Sequence, residues 1–280
     1  MDCINPIFLP KLGHEVGCGA CNYCLTSSSL DWCYRLQWEH KKSSSAKFIT
    51  LTYSDEYLPI NYESGEGTLD KADLQKFFKR FRKINDTYSE KNRKPIRYFA
   101  TGEYGTKLQR PHYHIILFNA KREAINRLHQ AWPLGQIDIG RVTPASIGYV
   151  ASHSFFRQRH YGPLVRPFAT MSRKPGIGYD YVKSNSGWHR DPQGNEHRFY
   201  VTDNGHRRKL PRYYKEKLFD GEERRVYNVK LQQAREDAYC KAIEAIKLAY
   251  KHSDPYLTYE HMAHQGNEAI GRRKKKNRKL

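Results

Sequence analysis

The chain lacks the apolar runs and leader sequences of membrane and secreted proteins. No stretch approaches the roughly 18 uninterrupted apolar residues of a membrane span. The N-terminus also lacks the charged and then apolar order of a signal peptide. There is no internal repeat and no phosphate-cradling glycine motif. We therefore expect a cytosolic protein without a membrane partner, in which cysteine thiols stay reduced.

Acidic residues are in short supply. The chain has 29 Asp and Glu against 49 Lys and Arg, which gives a formal net charge of +20. Seven of the positive charges lie within residues 271–280, so the remaining 270 residues still carry about +13. Such an excess favours a polyanionic partner, most often nucleic acid, although a merely soluble basic protein is the alternative.

The composition is nevertheless that of a folded protein. Hydrophobic residues make up 38% of the 280 residues and aromatic residues 13%. A chain of this size can bury a substantial core, so we expect one catalytic-sized domain with appendages, or two small domains.

Five of the six cysteines lie in residues 1–45. The run CGACNYC contains Cys18, Cys21 and Cys24, and spacings of two residues allow one tight turn to present thiolates to a single tetrahedral ion. Cys3 would complete a four-cysteine set, with Cys33 or His14 as substitutes. The pattern indicates either a structural Zn²⁺ or reduced, unliganded thiols.

The run RPHYHIILF at residues 110–118 predicts a strand that carries two histidines on one face. Side chains alternate between the faces of a strand, so His112 and His114 project together while Ile115 and Leu117 enter the opposite face. This pair is either a metal platform or two ordinary histidines on a sheet face.

A carboxylate is predicted to lie opposite these histidines. Residues 96–104 are expected to form a strand, and the glycine-containing loop that follows predicts an antiparallel hairpin with residues 110–118. Glu103 would then complete a site of two histidines and one carboxylate. The alternative is a surface ion pair of Glu103 with Arg110 or Lys107.

Further elements follow from local patterns. Strands are expected at residues 47–53 and 136–142, with helices at about 70–81, 121–132 and 222–251. Thr143 followed by Pro144 predicts the start of another helix, which would place Tyr149 and His153 on one face. A metal-capable strand pair, a basic chain and a helical tyrosine together point to phosphoryl transfer on DNA.

An ordered set of motifs resembles a known family. The set consists of Cys18–Cys24 with Trp38, FITLTYSDEYLP at 48–59, GEYG at 102–105, RPHYHIILF at 110–118, GYVA at 148–151, MSRKPGIG at 171–178 and PRYY at 211–214. It resembles the HUH endonucleases and, among them, the gokushovirus-type replication initiators of microviruses. The resemblance implies an α+β fold with a five-stranded antiparallel sheet and flanking helices, here with a Cys-rich N-terminal segment and a helical basic C-terminal region.

The same resemblance implies an activity. It is that of a rolling-circle initiator, a metal-dependent, site-specific endonuclease that nicks and rejoins single-stranded origin DNA through a 5′-phosphotyrosine. It gives Tyr149 the role of nucleophile, and His112, His114 and Glu103 the role of ligands for Mg²⁺ or Mn²⁺. The implied partners are origin DNA and a host replication helicase and polymerase, in the cytoplasm of a bacterial cell.

One position departs from the family pattern. Related microvirus proteins tend to have a second tyrosine four residues after the first, where this chain has His153. His153 would serve as a proton acceptor or a phosphate contact, or is only a tolerated replacement. Tyr161 from the following loop is another candidate for the second nucleophile, and the released 3′-hydroxyl is a third.

We expect four segments. They are a Cys-rich segment at 1–45 with a zinc knuckle, a nicking domain at 46–160, an accessory region with a long helix at 161–270, and a disordered basic tail at 271–280. Rival functions are a plasmid replication or mobilisation nickase, a non-catalytic basic DNA-binding or packaging protein, and a metal-dependent hydrolase that is unrelated to DNA.

Overall fold

A computed structural model describes residues 3–88, 94–152, 160–190, 198–203 and 205–277. Its helices are α1 (Asn22–Lys42), α2 (Lys71–Asp86), α3 (Arg122–Ile125), α4 (Leu128–Ala131), α5 (Pro144–Ala151), α6 (Asp180–His189), α7 (Arg212–Leu218), α8 (Gly221–Ala249) and α9 (Pro255–Asn277). Its strands are β1 (Ile7–Leu9), β2 (His14–Val16), β3 (Ala46–Thr52), β4 (Arg97–Tyr104), β5 (Pro111–Phe118), β6 (Ile137–Arg141), β7 (Phe168–Met171), β8 (Tyr200–Asp203) and β9 (His206–Lys209).

The chain divides into two compact units. We call residues 32–183 the central unit, and residues 1–31 with 184–280 the terminal unit. The predicted segments 1–45, 46–160 and 161–270 describe function rather than compactness, and they stay predictions.

The central unit contains a five-stranded antiparallel sheet with the order β6-β3-β5-β4-β7. The fold class predicted from the sequence is therefore confirmed. The histidine strand β5 lies in the middle, between β3 and β4. Its residues are apolar on both faces after His114 because helices cover both faces of the sheet.

The first face of the sheet packs on α2, α3 and α4. Tyr113, Ile115 and Leu117 of β5 are fully buried there. The predicted phenylalanine stripe of α2 fills the same core, and its members are Leu74, Phe77, Phe78 and Phe81. The helix begins at Asp70, whose side chain accepts a hydrogen bond from the backbone of Ala72, as expected for a carboxylate cap.

The second face of the sheet packs on α1 and α5. Its core residues are Leu36, Phe99, Ile116, Phe118, Ile147, Val150, Ala151 and Ile177. His112 and His114 have the same strand parity as Ile116 and Phe118, so they lie on this face, just beyond the apolar core. This arrangement places both imidazoles next to α5.

The terminal unit is built on the long helices α8 and α9. The rings of Tyr239 and Tyr259 meet edge to face, with centroids 4.9 Å apart. Phe199 lies between Phe219 and Tyr227, with ring centroids 4.1 Å and 4.0 Å away. These aromatic contacts tie the segment before β8 to α8.

Three local predictions differ from the structure. Residues 121–132 form two short helices instead of one, because the backbone of Arg127 leaves the helical region. The fifth strand, β7, falls just before and into the segment 171–178, for which only turns were predicted. Helix α9 continues to Asn277, so residues 271–277 are helical where the sequence predicted a disordered tail.

Candidate active site

Three candidate ligands meet on the second face of the sheet. In the register of β4 and β5, Glu103 lies opposite His112. The ligand atoms of Glu103, His112 and His114 all lie within 4.8 Å of one another. The hairpin predicted from the sequence thus brings these three side chains together.

Each imidazole is oriented by a hydrogen bond at Nδ1. His112 Nδ1 lies 3.1 Å from the carbonyl oxygen of Arg110. A carbonyl only accepts, so His112 carries its proton on Nδ1 and keeps the Nε2 lone pair free. His114 Nδ1 lies 3.1 Å from the hydroxyl oxygen of Thr50, which leaves its Nε2 available in the same way. Metal-binding histidines are usually fixed by such a second hydrogen bond.

Burial keeps both histidines neutral. Loss of hydration lowers the pKa of His112, against a smaller opposing effect of its hydrogen bond to Arg110. Loss of hydration, with the neighbouring His112 charge adding to it, lowers the pKa of His114 to about 3. Neutral imidazoles with free lone pairs are the form that binds metal ions.

Glu103 is buried and accepts two hydrogen bonds. Its side chain is almost inaccessible, with 1% relative exposure. Thr101 donates to Oε1 over 3.2 Å, and the phenol of Tyr149 donates to Oε2 over 3.2 Å. The alternative pairing with Arg110 is not seen, because Arg110 binds Asp55 at 2.6 Å and the carbonyl of Tyr53 at 2.9 Å.

Helix α5 delivers Tyr149 to this group. Thr143 and Ser146 form a reciprocal capping box and Pro144 opens the helix, as the sequence predicted. Ile147 and Val150 are buried against the sheet, which fixes the rotation of the helix. The ring of Tyr149 then meets the imidazole of His114 edge to face, with centroids 5.0 Å apart.

The donor set fits a divalent cation. Two neutral imidazoles and one carboxylate are ligands that Mn²⁺ accepts, and Mg²⁺ prefers the oxygen donor. The same set also suits zinc, iron or cobalt, so the geometry supports a metal site without selecting its ion.

The candidates for a second nucleophile or proton acceptor lie elsewhere. His153 falls outside the described residues. Tyr161 stacks on Tyr104, with centroids 5.5 Å apart, and packs against the core on the first face of the sheet. Tyr161 is therefore on the opposite side of the sheet from Glu103.

Two threonines of the site were missed in the sequence. Thr101 holds Glu103, and Thr50 holds His114. Strand parity was the available signal, since Thr101 lies two residues before Glu103 and on the same face. Threonine is so common in strands that parity alone does not distinguish a supporting hydroxyl from an ordinary one.

The four predicted cysteine ligands also form a group. The sulfur atoms of Cys3, Cys18, Cys21 and Cys24 lie within 4.8 Å of one another. Neither proposed substitute belongs to it. Cys33 packs against the second core, and His14 contacts the carbonyl of Leu12 and the side chain of Asn228.

Residues 46–154 match the family model of the replication-associated protein ORF2. The chain belongs to this family of replication-associated proteins. The matched residues include Glu103, His112, His114 and Tyr149. The viral family that the motifs resembled is thereby confirmed, while the roles of individual residues stay predictions.

Three replication-associated proteins of bacterial viruses resemble the chain. Protein VP4 of Bdellovibrio phage phiMH2K is 30% identical over 218 residues, or 71% of this chain and 66% of the relative. Protein ORF2 of Spiroplasma virus 4 is 28% identical over 73% of this chain and 68% of the relative. Protein ORF4 of Chlamydia phage 1 is 27% identical over 49% of this chain and 37% of the relative.

The chain thus spans about two thirds of the length of the first two relatives. No solved structure matches it significantly. Among the described residues, no helix combines the length and the apolar character needed to cross a membrane.

Proposed function

We propose that this replication-associated protein is a rolling-circle initiator that nicks and rejoins single-stranded origin DNA through a 5′-phosphotyrosine on Tyr149. One observation carries the proposal. The Tyr149 hydroxyl donates to Glu103, the same carboxylate that lies beside His112 and His114. A nucleophile and a metal-capable group thus share one side chain.

Glu103, His112 and His114 would hold the divalent ion, which we propose to be Mg²⁺ or Mn²⁺. When bound, such an ion withdraws charge from a phosphate oxygen and orients the phosphorus for in-line attack. The contribution of the protein is to keep the two imidazoles neutral and turned, through Arg110 and Thr50, before DNA arrives.

The chemical step exchanges one phosphodiester bond for another. The Tyr149 oxygen attacks the scissile phosphorus and forms the bond to the 5′-phosphate, while the bond from phosphorus to the 3′-oxygen breaks. Oε2 of Glu103, which already accepts the hydrogen bond from the phenol, is placed to take its proton. The departing 3′-oxygen takes up a proton and becomes a free hydroxyl. Reversal of these transfers rejoins the strand without ATP.

The charge of the chain supports DNA as the substrate. A net charge of +20 attracts a polyanion and releases counterions on binding. The names of the three phage relatives support a role in replication. In this role the protein would act in the cytoplasm of a bacterial host, where a host helicase and polymerase extend the free 3′-end.

Covalent capture tests the proposal. The full chain is incubated with Mn²⁺ and labelled single-stranded oligonucleotides that tile the replicon encoding it, and adducts that survive denaturation are counted. We expect an adduct with the origin oligonucleotide, and its loss in EDTA and in the His112→Ala, His114→Ala double variant. Absence of any adduct across the tiling set would contradict nicking, and an undiminished adduct in EDTA would contradict metal dependence.

A further inference from the structure

The cysteine group has the spacing of a tetrahedral metal site. Sγ of Cys3 and Sγ of Cys21 lie 3.9 Å apart, and the four sulfur atoms lie within 4.8 Å of one another. Zinc binds thiolates at about 2.3 Å, which places the corners of a tetrahedron ~3.8 Å apart. A disulfide would bring two sulfurs to about 2.05 Å. The observed spacing therefore fits four thiolates around one ion.

The backbone around the cysteines donates hydrogen bonds to sulfur. The amides of Ala20 and Cys21 donate to Cys18 Sγ, over 3.4 Å and 3.3 Å. The amide of Cys18 donates to Cys3 Sγ over 3.2 Å, and that of Cys24 donates to Cys21 Sγ over 3.5 Å. Donors aimed at sulfur stabilise the negative charge of a thiolate, which is the form that binds metals.

Two glycines allow this turn to close. Gly19 has a φ of +72°, a left-handed conformation that other residues rarely adopt. A Cβ atom at Gly17 would lie 2.8 Å from Sγ of Cys24, which is closer than van der Waals contact permits. The sequence between Cys3 and Cys24 thus accommodates the approach of sulfur to backbone.

The cysteine turn leads directly into a contact with the last helix. Cys21 and Cys24 flank Asn22, the first residue of α1, whose side-chain amide donates to the carbonyl of Asn267 over 3.0 Å. The side chain of Asn267 accepts from the backbone of Tyr23 over 3.4 Å. All of these residues belong to the terminal unit.

The glycines of α9 make this contact close. A Cβ atom at Gly266 would lie 2.4 Å from the Tyr23 hydroxyl, and one at Gly271 would lie 2.7 Å from the Asn22 amide. Helix α9 therefore approaches the first turn of α1 at two successive glycines. Any rearrangement of the cysteine turn would move Asn22 and Tyr23, and with them this contact.

We propose that Cys3, Cys18, Cys21 and Cys24 bind one Zn²⁺ ion whose role is to lock the first turn of α1 against α9. Four thiolates fill all four positions of a tetrahedral zinc, so the ion has no open position for a substrate and is structural. Because α9 leads into the basic run that starts at Arg272, zinc controls how this cationic segment is held. The proposal is independent of the nicking reaction.

Metal analysis of the full chain tests the site. The His112→Ala, His114→Ala background is used, so that the candidate active site does not contribute metal. We expect one zinc per chain after purification in reducing buffer, its loss in Cys18→Ser, and its retention in the matched control Cys240→Ser, which changes an exposed cysteine of α8. One iron in place of zinc, no metal at all, or equal zinc in Cys18→Ser would each overturn the assignment.

Hydrogen exchange tests the locking role. Removal of zinc with a strong chelator should increase amide exchange in residues 22–31 and 255–271, while exchange in β3, β4 and β5 stays unchanged. Gly17→Ala should produce the same change in a protein that still folds, with Gly187→Ala, which meets open space, as its control. Unchanged exchange in α9 after zinc removal would overturn the locking role.

Discussion

The phenol of Tyr149 donates a hydrogen bond to Oε2 of Glu103 over 3.2 Å, although the two residues come from different elements of the central unit. Glu103 is fixed on β4 by the hydroxyl of Thr101, and Tyr149 is fixed on α5 by the packing of that helix on the sheet. The contact joins the candidate nucleophile to the candidate metal ligands, so substitutions around it have distinguishable consequences.

Glu103→Gln should lower the nicking rate by about 10²- to 10⁴-fold, the usual contribution of a proton acceptor. The amide keeps the size of the carboxylate but loses its charge and its basicity. The rate is measured at saturating Mn²⁺, so that weaker metal binding does not account for the loss. A rate within a factor of two of the wild type would remove Glu103 from the chemistry.

Thr50→Val should weaken Mn²⁺ binding by about 10- to 100-fold, because His114 would lose the hydroxyl that orients it. The matched control is Thr52→Val on the same strand, whose hydroxyl instead contacts the carbonyl of Gln136. Titration of both variants with Mn²⁺ checks the prediction. Equal affinities for the two variants would show that the Thr50 contact does not support the site.

Thr143→Ala should reduce both stability and nicking. Thr143 caps α5 through a hydrogen bond of 3.1 Å from the backbone of Ser146, and loss of such a cap costs about 0.5 to 2 kcal/mol. The helix that carries Tyr149 would then fray at its start. Thr143→Ser keeps the cap and should restore both properties; nicking that falls equally in the two variants would point to another role for Thr143.

Stability of the metal-free protein should fall in acid. A histidine of the unfolded chain has a pKa near 6.5, whereas burial lowers the pKa of folded His114 to about 3. Between these values the unfolded chain binds a proton that the folded chain does not. The free energy of unfolding should therefore begin to fall as the pH drops below 6.5, and the loss should be complete once the pH is below the folded pKa.

The slope contributed by His114 is at most about 1.4 kcal/mol per pH unit. Urea denaturation in EDTA between pH 7 and pH 5 measures it, and His114→Gln should give a shallower dependence than the wild type. Identical slopes would mean that His114 is not held neutral by burial.

Much of the central unit follows from local sequence patterns. Alternation in residues 47–53 and 96–104 predicted strands that the structure places at Ala46–Thr52 and Arg97–Tyr104. The Thr143–Pro144 pair predicted the start of α5 because capping chemistry depends on a few adjacent residues. Strand parity was enough to place Glu103 opposite His112.

Other elements depend on tertiary context. Strand β7 has only four residues and pairs with β4 alone at the edge of the sheet, so its sequence carries little periodicity. Helix α1 begins among cysteines and serines, which are weak helix formers and hide its pattern. The contact of Tyr149 with Glu103 depends on how α5 packs on the sheet, which no local pattern specifies.

Identification of the residue bonded to DNA tests the central claim most directly. The origin adduct formed in Mn²⁺ is digested with protease and nuclease, and the modified peptide is sequenced by mass spectrometry, with Tyr149→Phe as the matched variant. The account predicts a 5′-phosphate ester on Tyr149 and no adduct in Tyr149→Phe. An ester on Tyr161 or on any other residue, or an undiminished adduct in Tyr149→Phe, would contradict it.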